Sequence, residues 1–523
     1  MHKKSRATSR GYKKLELGGA LSPYSRLGRV WGTREGDKKR AVLGFVVVAI
    51  MLALLLGAAS LHTTSVSPAT IQVGPTTITT AHLGVTRITT TTASCWNAVY
   101  VVFIDSTDAY KTKARSNFTG RIDFTGTDPA AVVQSTVDSL ARSGGTIFLL
   151  PGTYVWGSVP ALPKDLPCWL HIVGLGSNVT IQLTSEGPRA FDFHRTADYQ
   201  TFRKIDIENL NIDGNNVGGR SHVVLGTNID GNDQSRMNIE DITIRNITTR
   251  NVPVDPTTTN HRLNVHIDVW SRPGDQETHL TNILIENCDF NGGNAGIDIG
   301  GNGPGLIGVN VFMDNISIIN CRHSGLVAPS QFFPSANIQV GGLGFGGDVH
   351  IANFYGEYSG DVGIELNAVN ALVENSTILD PFGTGFYHTN YNGNPPKDQQ
   401  IVYRNCTTTI VASNSPGMGW DMMSRDSNPV PLGTLVISNC RFYSSSADSG
   451  TNPGYYEGYA ARVYSGKGTN EVTISNFTAT IERTDYSSAD EHWLNPIWLE
   501  STGGERPDIH LSNVEIIVKG SRR

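Results

Sequence analysis

The chain carries little charge for its length. Only 17% of its 523 residues are Asp, Glu, Lys or Arg, and the net charge is −6. It therefore lacks the basic footprint of a nucleic-acid binder, and DNA or RNA is not an expected partner. None of the six cysteines has the spacing of a zinc site, and no metal or cofactor is expected. Length alone does not set the number of domains, because solenoids run long as a single unit.

One long apolar run is present. Residues 1–40 hold twelve Lys or Arg against three acids and lead into AVLGFVVVAIMLALLLGAAS at 41–60. About 19 uncharged apolar residues suffice to cross a bilayer at roughly 1.5 Å per residue. The expectation is a single-pass signal anchor in the cell membrane, with a basic cytoplasmic segment inside and everything from residue 61 outward. The small residues Gly57, Ala58 and Ala59 offer a cut site, and the chain is secreted if the anchor is cleaved, but leader and apolar core are both long for a signal peptide. Residues 61–95, Thr-rich and ending near ITTTTAS, read as a linker. Seven Asn-x-Ser/Thr sequons follow, at Asn117, Asn178, Asn246, Asn315, Asn375, Asn405 and Asn476, candidates for glycosylation on the outer side.

Residues 96–160 read as the N-terminal cap of the domain that fills 96–523. Within DPAAVVQSTVDSLARSGGTIFLLPGTYVW (128–156), Asp128 caps a helix with Pro129 at its first position. Val132, Val133, Val137 and Leu140 form an apolar stripe, and Gly144 and Gly145 end it. A strand follows, then a second at HIVGLGSNVTIQL (171–183). These segments resemble the cap and first coil of the pectate-lyase-like (pectin lyase fold) superfamily. The resemblance implies an all-β fold, a single-stranded right-handed parallel β-helix with an N-terminal amphipathic capping helix, and says little about chemistry.

Ten segments from residue 205 onward repeat one pattern, I-x-I-x-N and a small or apolar residue, as in IDIENL (205–210), ITIRNI (242–247), ILIENC (283–288) and IHLSNV (509–514). Their asparagines are Asn209, Asn246, Asn287, Asn320, Asn353, Asn375, Asn405, Asn439, Asn476 and Asn513, 22 to 41 residues apart. That suits about ten coils with loops of varying length. The period of two marks a strand with one face inward. Asparagine tolerates the left-handed conformation of a corner, and stacked amides can bond one another as a ladder. Cys288, Cys321, Cys406 and Cys440 directly follow ladder asparagines; that register places them inward as two stacked thiol pairs, read as thiols before disulfides because coils about 4.8 Å apart lie near the lower end of disulfide Cα separations. Cys95 and Cys168 are a candidate bridge near the cap.

A second strand in each repeat reads NVHIDVW (264–270), GIDIGG (296–301), NIQVGG (337–342), GIELNA (363–368), GFYHTN (385–390) and GWDMMS (419–424). With Ile297, Ile299, Ile364 and Leu366 inward, the residues between them point out, giving a column of Asp268 with His266, then Asp298, Gln339, Glu365, Tyr387 and Asp421. Two carboxyls about 5 Å apart suit a retaining glycosidase, and roughly 6.5–9.5 Å an inverting one. One coil separates Asp268 from Asp298 and two separate Asp298 from Glu365, so Asp298 and Glu365 are the expected acid and base, assisted by Asp268 or Asp421. His266, Gln339, Tyr387, His388, Tyr391 and Arg425 are the candidate substrate contacts, with Arg404, Tyr455, Tyr456 and Trp493 in neighbouring loops.

The bland alternative is that outward acids only solvate a soluble face. The NTD, DD, GHG and RIK set of polygalacturonase-like members of the superfamily is not found in order, and neither are the calcium-binding Asp pairs and Arg base of a pectate lyase. An acidic column disfavours a lyase, which needs a cation for its uronate. Two readings stay open: a glycoside hydrolase acting on a polysaccharide or cell-surface glycan, and a non-catalytic adhesin, glycan-binding or envelope protein. The last strand, ending in LSNVEIIVKGSRR, has no evident cap, and a homotrimer or surface contact there is an expectation of the open edge.

Overall fold

The computed structural model describes residues 70–73, 76–81, 85–90 and 98–522, with breaks in loops at 187, 194–199, 218–221, 228–236, 255–261, 270–275, 302–310, 326–335, 343–344, 391–395, 397, 412–417, 424–432, 446–458, 466–470, 487–495 and 502–506. The apolar run at 41–60 lies outside the described residues. Among those described, no helix is long and apolar enough to cross a membrane. Part of the expected linker forms an antiparallel meander, Thr70–Val73, Thr76–Ala81 and Val85–Thr90.

The helix spans Pro129–Leu140, with the Asp128 carboxylate accepting from the Ala130 amide at 3.0 Å. The same side chain takes the Gly157 amide and the Ser158 hydroxyl, tying the helix start to the turn after the first coil. Val132, Val133, Val137 and Leu140 are buried, and burying each such side chain contributes roughly 1.5–3 kcal/mol. Strands Ala98–Asp105, Asp108–Ser116 and Ile122–Gly126 form an antiparallel set, the first of which pairs in parallel with Gly145–Leu149.

Beyond the cap, every strand pairs in parallel with its counterpart one coil away. Rows therefore run along the solenoid: Ile205, Ile242, Ile283, Ile316 and Val349 stack in register and are buried. Parallel crossovers of L-residues are right-handed in nearly all cases. A large sheet holds the asparagine corners, and a ten-stranded sheet from Phe191–Asp192 to Ile497–Ser501 makes the other wall.

All ten repeat asparagines have φ between 49° and 59°, the left-handed region that asparagine tolerates better than other non-glycine residues. Their amides form the expected ladder: Asn246 donates to Asn209 at 2.8 Å, Asn353 to Asn320 at 2.8 Å and Asn513 to Asn476 at 3.0 Å. A second ladder lies five residues upstream, where Asn282 donates to Asp241 at 2.9 Å and Asn315 to Asn282 at 2.7 Å. The sequon amides of Asn246, Asn315, Asn405 and Asn476 are thus engaged as donors, which disfavours glycan attachment there. Cys288, Cys321, Cys406 and Cys440 are free, buried thiols. Burial, then the neighbouring Cys321, pushes the Cys288 thiol well above the usual range. Cys168 is disulfide-bonded; its candidate partner Cys95 lies outside the described residues.

Candidate functional site

The ten-stranded sheet aligns the column residue by residue. Gly226, His266, Asp298, Gln339, Glu365, Tyr387, Asp421, Arg462 and Trp498 stand in one register row. The neighbouring row, Val265, Ile297, Ile338, Ile364 and Phe386, is buried in the interior, so the column faces outward. A glycine starts several of these strands for a steric reason: a Cβ on Gly385 would stand 2.2 Å from Thr408 Oγ1. A parallel outward row holds Asp268, Gly300, Gly341, Asn367 and Thr389. Gly341 has φ +124°, and a Cβ there would meet the Asn367 carbonyl at 2.3 Å. The two glycines leave a floor without side chains beside Asp298 and Gln339.

Asp298 and Glu365 flank Gln339, two coils apart, about 9–10 Å between Cα atoms at roughly 4.8 Å per coil. Asp298 is 8% exposed, and its Oδ1 has no hydrogen-bond partner among the described residues. A buried acceptor left that way calls for a role. Burial raises the Asp298 carboxyl to about 7. Burial, then the charges of Asp361 and Asp298, raises Glu365 to about 8. Two groups coupled like this titrate as a pair.

His266 is level with Asp298, a correction to the expected pairing of Asp268 with it: Asp268 lies two residues further along the strand, beside Gly300. The His266 Nε2 stands 3.6 Å from Asp298 Oδ2 and 3.8 Å from Asp268 Oδ2, and its Nδ1 lies 2.8 Å from Thr227 Oγ1. Thr227 Oγ1 also accepts the Asp268 amide at 3.1 Å. The imidazole is thereby held between two carboxylates.

Of the other expected residues, some share the row and some lie away from it. Asp421 is paired with Arg462, Nε to Oδ1 at 2.9 Å and Nη2 to Oδ2 at 2.6 Å. His388 sits in the Leu366 row and is fully buried, with Gln399 Nε2 3.2 Å from its Nε2. Burial lowers it to about 3. Burial keeps it a neutral core histidine. Arg404 belongs to the large sheet and pairs with Glu374. Gln339 and Tyr387 are half-buried in the column. Tyr391, Arg425, Tyr455, Tyr456 and Trp493 lie outside the described residues. Arg462 and Trp498 were missed, although carrying the alternation two coils further along ARVYS and IWLES finds both; nothing in the sequence pointed to Thr227 or Asp361. Among the described residues no group of three or more His, Cys, Asp or Glu could hold a metal ion.

The geometry decides the architecture. The chain has the parallel β-helix fold. No family model matches it, and no curated protein matches it by sequence. Among solved structures it is similar to PfbA, a surface adhesin of Streptococcus pneumoniae, at 11% identity and TM-score 0.39 over 75% of this chain and 87% of that one. It is also similar to WceF of Pantoea stewartii, a glycan biofilm modifying enzyme with a tailspike-like parallel β-helix fold, at 12% identity and TM-score 0.32 over 58% and 37%. A third is an endo-xylogalacturonan hydrolase from Aspergillus tubingensis, at 12% identity and TM-score 0.27 over 75% and 91%.

Proposed function

We propose that this chain hydrolyses an extracellular polysaccharide with inversion, using Glu365 as general acid and Asp298 as general base. The observation that carries the reading is the placement of both carboxyls on one outward row with a single residue, Gln339, between them. Cα atoms about 9–10 Å apart bring the two carboxyls into the range of the roughly 6.5–9.5 Å separation that leaves room for an attacking water. Glu365, raised to about 8, stays protonated at neutral pH and gives its proton to the glycosidic oxygen as that bond breaks. Asp298, raised to about 7 beside His266, accepts a proton from the water whose oxygen bonds the anomeric carbon from the opposite face. His266 stands beside Asp298, its Nε2 3.6 Å from Oδ2, and Tyr387, next in the row, offers a ring to a neighbouring sugar. The basic segment and apolar run at 1–60 support tethering at the cell surface.

A non-catalytic glycan-binding role is the second reading, favoured by the Asp421–Arg462 pair and Trp498, which continue the row as a polar and aromatic strip. Incubation with a panel of polysaccharides separates the two: release of reducing ends, with the inverted anomer appearing first by NMR, supports the hydrolase, whereas saturable binding without cleavage supports the binder.

A further inference from the structure

The last described strand, Asp508–Arg522, pairs in register with Glu471–Tyr486 on one side, and among the described residues no register pairing is found at its other edge. The interior rows continue onto it: Ile509 lies over Val472, Leu511 over Ile474, Ile516 over Ala479 and Val518 over Ile481. The lower member of each pair is buried, while Ile509 is 43%, Leu511 38%, Ile516 41% and Val518 50% exposed. Among the described residues this end of the core is thus open, with a row of unpaired backbone groups around an apolar centre.

We infer that this end docks on the same end of a second copy of this chain, about a two-fold axis through the corner at Asn513. The positive φ of Asn513, 51°, bends the strand into two arms, 508–512 and 514–519. A half-turn about the bisector of that corner exchanges the arms and lays each antiparallel on the other, a pairing at least as stable per residue as the parallel one. In the register that sets Leu511 against Ile516 of the second copy, Ile509 meets Val518 and Asp508 meets Lys519. The charges agree with this. Asp508 lies in register with Glu471 of its own chain, so a cation on its open side offsets two like charges. Lys519 is exposed at 62% while holding Glu482 at 2.8 Å. The interface is self-complementary, so each favourable pair occurs twice. A side-by-side trimer leaves this end uncovered.

The test uses the full chain in detergent micelles, mixing unlabelled and isotope-labelled protein, with zero-length carbodiimide cross-linking and sedimentation corrected for bound detergent. A dimer mass and a mixed-isotope cross-link joining Asp508 to Lys519 are expected. Asp508→Lys and Lys519→Asp each weaken the dimer roughly tenfold, and the double variant recovers it. Thermal melting of each variant guards against loss of fold, since both positions are exposed. A monomer or trimer mass at tens of micromolar, absence of the mixed cross-link, or equal association of the single and double variants overturns the inference.

Discussion

Asp298 and Glu365 stand on the same outward row, two coils apart, and the Asp298 charge adds to the forces that keep Glu365 protonated. The coil repeat fixes their separation, and the closed surroundings set their proton affinity. On the proposed hydrolase reading, together these fit one carboxyl to serve as acid and the other as base.

The pH profile follows. The proposed hydrolysis requires Asp298 ionised and Glu365 protonated. It falls below about 7 as the base gains a proton and above about 8 as the acid loses one. A narrow bell between these values is expected for kcat/KM on any glycan that is cleaved.

Stability moves with the same protons. Both carboxyls have folded pKa values raised above their ordinary values of 3.8 and 4.5, so the folded state binds more protons than the unfolded across about 4 to 8. Their contribution is therefore most favourable at the acid end and falls as pH rises through that window. Glu365→Gln removes the part due to Glu365 and should raise the melting temperature at pH 8 more than at pH 5, as read by thermal melts.

The Asp421–Arg462 pair is structural. Arg462→Gln leaves a 3%-exposed carboxylate without its bidentate partner and should cost about 1.5–3 kcal/mol in denaturant unfolding. Adding Asp421→Asn should recover most of that. An additive double variant would place the pair's importance elsewhere.

Corner asparagines divide into two effects. Asn320 has φ 54° and joins ladder bonds at 3.0 and 2.8 Å. Asn320→Gly keeps the backbone free and loses the bonds, about 0.5–1.5 kcal/mol each. Asn320→Val adds a strained left-handed residue, about 1–2 kcal/mol more. Denaturation midpoints should fall in that order.

The fold was legible in sequence because a left-handed corner admits few residues, and Asn209 through Asn513 mark it coil after coil. The row from His266 to Asp421 was legible because strand alternation fixes which way a side chain points. The same rule, applied one residue further in GFYHTN, turns His388 inward. Asp268 was misplaced because two outward positions on one strand were counted as one row. Local pattern holds no trace of the Arg462 guanidinium reaching across to Asp421, or of the Asp361 charge at Glu365, since both depend on how neighbouring coils meet. The upstream ladder through Asp241, Asn282 and Asn315 was present as Asp or Asn five residues before the corners at Asn246, Asn287 and Asn320, a weaker signal than the corner itself because Lys204, Gln400, Thr434 and Glu471 break it at others.

The most direct measurement of the central claim is reducing-end release from a polysaccharide panel at pH 7.5 by the wild type, Glu365→Gln and Asp298→Asn. The hydrolase reading predicts cleavage of at least one glycan by the wild type and a loss of about 10²–10⁴-fold in each variant with the fold intact. Cleavage unchanged in both variants, or no cleavage of any glycan by the wild type, would contradict it.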